Sequence, residues 1–132
     1  NMQIKEYVGR ILSSISANPY VESQSISCQE RPPDGAYLSG LVVFIDGSQL
    51  HIKEFILFDS TGARIVKYGY NYLDKEGDLI FRYDNALDPR ARGLSSYPEH
   101  RHAVDGLSPA MRPLFEEVLE EISEQVRQRA RA

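Results

Sequence analysis

Apolar residues recur at spacings of three and four from Met2 to Ala17, where Ile4, Val8, Ile11, Leu12 and Ile15 fall on one stripe. That pattern predicts a short amphipathic helix with Gly9 as its weak point. Asn18-Pro19 should end it, because a residue before proline is pushed out of helical geometry. The period then changes from helical to two. "YVESQSISCQE" alternates, "RPPDGAY" supplies turn chemistry, and the β-branched run "YLSGLVVFID" ends at Asp46-Gly47. "SQLHIKEFILFD", "ARIVKYGYNYLD" and "LIFRYDN" follow, separated by Thr61-Gly62 and by "KEGD". Five strands, four of them joined by short turns, predict an antiparallel meander.

After the fifth strand the pattern breaks down into Ser, Pro, Gly and charged residues, which reads as a long polar loop carrying "SSYPEHRHAVDG". Helical spacing returns in "PLFEEVLEEISEQVRQRA", with Leu114, Val118, Leu119, Ile122 and Val126 on one face and Pro113 as the first helical residue. Glutamates crowd its first turns and Arg127, Arg129 and Arg131 its end, the polarity that suits a helix dipole. The expected architecture is one α+β domain over residues 2–128: N-terminal helix, five-stranded antiparallel meander, long polar loop, C-terminal amphipathic helix. The two helices should cover one sheet face and leave the other partly open.

Composition narrows the function classes. A chain of 132 residues with 42% hydrophobic content can bury one core. The formal charge of −4 keeps it soluble and argues mildly against a non-specific nucleic-acid binder. Cys28 is the single cysteine, so no disulfide can form within the chain, and a reducing cytoplasm is the expected compartment. No apolar run is long enough for a membrane span and no signal-peptide pattern is present. Asn1 before Met2 reads as the remnant of an expression tag.

Alternation sorts the chemistry-bearing residues by face. Tyr68, Tyr70 and Tyr72 share one face of their strand, Arg82 and Asp84 share a face with Ile80, and Glu54 lies between Ile52 and Ile56. Charges in mid-strand must be paired or exposed. A cross-strand ion pair explains them as well as a functional site does. The tyrosines pack well as core residues, yet on an open face flanked by Arg64 and Lys67 they would also make a stacking platform for single-stranded nucleic acid. His100 and His102 titrate near neutrality and can carry protons, can chelate a metal with Glu99 or Asp105, or can be plain loop residues. Zinc sites carry more ligands at set spacings than this loop offers. Cys28 has no helix start beside it to activate it, and no glycine-rich phosphate loop exists.

One reaction would unite these residues: attack of an RNA 2′-hydroxyl on its own phosphodiester. His100, His102 or Glu54 would take the proton, Arg82 would stabilise the phosphate charge, and the other histidine or Tyr83 would protonate the leaving oxygen, with no metal or cofactor. Asp84 belongs to the same candidate set. A metal-dependent nuclease with a cation between Glu54 and Asp84 is a further possibility. The competing reading is a non-catalytic module whose tyrosine face and histidine loop dock a protein or nucleic acid.

"LHIKEFILFD", "KYGYNYLDKEGDLIFRYDN", "YPEHRHAVDG" and "PLFEEVLEEI" together give the chain a family likeness. In this order they resemble the TumE-like family, toxin components of type II toxin–antitoxin modules, over roughly Leu41 to Ile122. The succession FRYDN, HRH, DG is the most specific part. The resemblance implies a cytosolic toxin neutralised by a small antitoxin of helix-turn-helix type, with RNA cleavage expected by fold-level analogy. It brings no catalytic set of its own. An uncovered strand edge or apolar helix stripe would permit a homodimer.

Overall fold

The computed structural model describes residues 2–131. Helix α1 (Met2–Ser16) precedes β1 (Val21–Arg31), β2 (Gly35–Phe44), β3 (Gln49–Asp59), β4 (Gly62–Leu73) and β5 (Leu79–Asp84). A 3-10 turn at Pro89–Ala91 interrupts the next connection, and β6 (His100–Ala103), β7 (Gly106–Pro109) and α2 (Phe115–Arg131) complete the chain. All strands form one sheet in the order β1-β2-β3-β4-β5-β6-β7, every neighbour antiparallel.

The α+β class and the meander agree with the pattern of the sequence, but the sheet has seven strands rather than five. The additional pair lies within the stretch expected to be a polar loop. Its four-residue strands are too short and too polar to show alternation, and they are strands because β5 offers them a pairing edge. Asp84 lies opposite His100 and Arg82 opposite His102.

Both helices pack on one sheet face. Ile4, Ile11 and Ile15 of α1 meet the sheet beside Phe115, Val118, Ile122 and Val126 of α2. The strands answer with Leu38, Phe44, Ile52, Ile56 and Phe81. In β3 the alternation is strict: Leu50, Ile52, Glu54, Ile56 and Phe58 are buried while the residues between them face the other way. The start of α2 departs from the expected one. Leu114 is exposed and Phe115 takes the core position. The Leu114 N–H donates to Glu117 Oε1 at 2.7 Å, so the glutamate three residues on fixes the first turn.

Gly40 marks the tightest strand contact. A Cβ there would lie 2.2 Å from the Ser25 carbonyl oxygen and 2.7 Å from Ile26 Cα, both backbone atoms that cannot swing away. Gly40→Ala should therefore destabilise the fold by about 1–3 kcal/mol through forced strand separation. Chemical denaturation checks this, and an unchanged midpoint would mean that β1 shifts freely along β2.

Candidate active site

The covered face takes several residues that sequence spacing offered as functional. Glu54 is 1% exposed and accepts hydrogen bonds from the hydroxyls of Tyr7 and Tyr70, each at 2.5 Å. Burial, followed by the charge of Glu54, holds both phenols far above the usual tyrosine range. Arg112 donates to the Tyr70 hydroxyl at 3.2 Å. This buried polar network ties α1 to β3 and β4. Tyr68, Tyr70 and Tyr72 are all buried beneath the helices, so their rings cannot serve as an exposed stacking platform. Tyr83 donates to Glu121 of α2 and also belongs to the helix side. Arg64 lies opposite Leu57, near the far end of β3 and β4.

The opposite face is a concave groove of about 1100 Å³. Lys53, Lys67 and Arg82 supply its cations, and Asn71, Tyr37 and Phe55 line it further. Tyr37 and Phe55 are register partners and both are half-buried, which leaves ring surface on the open side. Arg82 donates from Nε to Asn71 Oδ1 at 2.8 Å, so its pairing is with an amide rather than with Asp84. Neither Tyr37 nor Phe55 stood out in the sequence, because an isolated aromatic in a strand normally reads as core.

At one end of the groove Asp84, His100 and His102 converge. Pairing of β5 with β6 sets His100 beside Asp84, and the next residues on the same face are Arg82 and His102. His100 Nε2 is 3.0 Å from His102 Nε2 and 3.2 Å from Asp84 Oδ1, while His102 Nε2 is 3.9 Å from Asp84 Oδ2. His100 is fully buried, and its Nδ1 is 2.7 Å from the Pro98 carbonyl oxygen. A carbonyl can only accept, so the Nδ1 atom carries the hydrogen. Burial, then the neighbouring His100, lowers the His102 pKa against the opposing pull of Asp84.

Asp88, which no motif signalled, approaches His102 at 4.0 Å from the 3-10 turn. Arg90 and its own backbone N–H hold the Asp88 carboxyl at about 2. The oxygen ligands expected beside the histidines lie elsewhere. Glu99 accepts from the Tyr68 hydroxyl and the Arg112 N–H, and Asp105 is exposed at the β6–β7 turn. The proposed cation between Glu54 and Asp84 is likewise ruled out, because those carboxylates point from opposite faces of the sheet.

A family profile described as Toxin TumE matches residues 11–129, most of the chain. The protein belongs to the TumE toxin family. Membership agrees with the resemblance carried by the strand and histidine motifs, and it supports a toxin role with an antitoxin partner in general terms. No curated protein and no solved structure gives a significant match. Among the described residues, no helix of this TumE-family chain is long and apolar enough to cross a membrane.

The lowered His102 pKa has a defined consequence for stability. The unfolded chain takes up this proton near the ordinary histidine value of 6.5 and the folded chain only at lower pH. Below 6.5 the unfolded state therefore binds more protons, and stability should fall as pH drops through the folded pKa. Proton NMR of metal-free protein should place the His102 midpoint below 6.5, with the pH-dependent loss absent from a folded His102→Gln variant. A midpoint at or above 6.5 would show that Asp84 dominates over burial.

Proposed function

We propose that this TumE-family protein is a toxin that cleaves RNA phosphodiester bonds in the open groove. The observation that carries the reading is the convergence of Asp84, His100 and His102 at one end of a surface lined by Lys53, Lys67 and Arg82. The cations suit a phosphate backbone, and the rings of Tyr37 and Phe55 suit unpaired bases, which stack on any exposed aromatic face.

In the reaction the 2′-oxygen forms a bond to phosphorus while the bond to the 5′-oxygen breaks. The Asp84 carboxylate, on the groove wall, takes the 2′-hydroxyl proton and Arg82 faces the charge that builds on the phosphate oxygens. Lys53 protonates the departing 5′-oxygen. Its side chain passes over Gly69 on the same side as Asp84. The products are a 2′,3′-cyclic phosphate and a free 5′-hydroxyl.

The geometry argues against dividing acid and base between the two histidines. Attacking and leaving oxygens stand roughly in line on opposite sides of phosphorus. Two imidazole nitrogens 3.0 Å apart cannot flank them. His100, fully buried, serves to hold the cluster rather than to touch RNA. The burial of His100 also weighs against a docking module whose histidines point into solvent. A small antitoxin of helix-turn-helix type is the partner we assign, acting by occupying the groove.

Induction in a bacterial host should arrest growth and generate cellular RNA fragments ending in 2′,3′-cyclic phosphate. Arg82→Ala should slow fragment formation about 100-fold at equal abundance, the usual effect of removing a group that stabilises transition-state charge. Growth arrest without new cyclic ends, or cleavage unchanged in Arg82→Ala, would overturn the reading.

A further inference from the structure

The geometry points to a divalent-cation site formed by Asp84, His100 and His102, with its free coordination positions turned toward the groove. It deepens the reading of that same cluster, yet ion binding and RNA cleavage can fail separately.

Three observations carry it. The first is spacing. One ligand atom from each residue lies within 4.8 Å of the others, and the two closest approaches are 3.0 and 3.2 Å. Ligands about 2.0–2.1 Å from a metal stand roughly 2.9 Å apart along an octahedral edge and roughly 3.3 Å along a tetrahedral one. Two of the three edges have coordination dimensions, and the third, from His102 Nε2 to Asp84 Oδ2, is 3.9 Å and would close by roughly 0.6 Å on an ion.

The second is protonation. With Nδ1–H committed to the Pro98 carbonyl, His100 turns its other ring nitrogen, Nε2, toward Asp84 Oδ1 and His102 Nε2. A ring nitrogen 3.2 Å from a carboxylate oxygen needs a proton or a cation between them. A single proton can lie on one of these lines only; a cation satisfies all three donors together. A metal-binding histidine whose other ring nitrogen donates to a backbone carbonyl is also the usual way a ligand ring is oriented.

The third is asymmetric access. The His100 side chain is sealed, whereas those of His102 and Asp84 keep 14% and 11% exposure, and Asp84 and Arg82 lie on the groove wall. Asp84 Oδ1 already accepts from the Ala86 N–H at 2.9 Å, which fixes the carboxylate in place. Two imidazoles and one carboxylate suit a first-row divalent ion of the zinc type, and three protein ligands leave room for water or a phosphate oxygen. This departs from the metal-free expectation of the sequence and from its oxygen donors, Glu99 and Asp105.

Tag-free protein stripped with chelator would be titrated with Zn²⁺ by calorimetry and with Co²⁺ by visible absorption. The expected result is one ion per chain, a raised melting temperature, and a Co²⁺ spectrum of low coordination number. His102→Ala and the near-isosteric Asp84→Asn, each verified as folded by circular dichroism, should bind about tenfold more weakly or worse, while Asp105→Asn binds as the parent does. No saturable uptake by the parent protein, or uptake unchanged in both ligand variants, would overturn the site. Stoichiometric ion binding in a protein that cuts no RNA would leave the site standing and remove the RNA reading instead.

Discussion

One constraint governs this molecule: a single seven-stranded sheet has two helices, and both lie on the same side. A two-layer α+β fold with one core turns the most buried positions of its strands toward those helices. Period-two geometry then forces the intervening positions onto the other face, whatever their chemistry. Lys53 is outward because Ile52 and Glu54 are inward, and Arg82 is outward because Phe81 and Tyr83 pack toward α2. The groove is the remainder of the core's requirements.

That division also explains the fate of the buried charge. Glu54 sits in the middle of the apolar face, where an unpaired carboxylate would be costly. Hydroxyls from Tyr7 and Tyr70 supply its donors, and Arg112 reaches the same network through Tyr70. Residues that looked like catalytic equipment thus became the polar fastening between helix and sheet. The tyrosine stripe has the same explanation: Tyr72, for example, donates to Ser48 at 2.7 Å beneath α2.

The net acidity of the chain loses its force as an argument once the charges are placed. α2 carries Glu116, Glu117, Glu120, Glu121 and Glu124 on the opposite side of the sheet from the groove, whereas Lys53, Lys67 and Arg82 outnumber Asp84 on the groove wall. A phosphate backbone responds to the local field rather than to the total. The mild formal charge of −4 is therefore compatible with an anionic substrate.

The sequence by itself determined the helices apart from the first turn of α2, the first five strands, and the faces of β3, β4 and β5, because long periodic segments carry their own burial pattern. β3 shows this most clearly, with alternation unbroken from Gln49 to Asp59. In β1 a register shift after Val21 breaks the alternation and brings Val21, Ile26 and Cys28 alike against the core. The sequence also marked His100, His102, Arg82 and Asp84 as chemically notable, and its motifs pointed to the family. Only the tertiary structure decided which of them meet. β6 and β7 have no periodic signal, since their stability comes from pairing with β5 rather than from local pattern, and it is that pairing which carries His100 to Asp84. Which sheet face would be covered was equally invisible: alternation separates Tyr70 from Arg82 but does not say which side the helices will choose. Packing made that choice, burying the tyrosines and Glu54 and leaving the histidine–aspartate cluster at the edge of the open face.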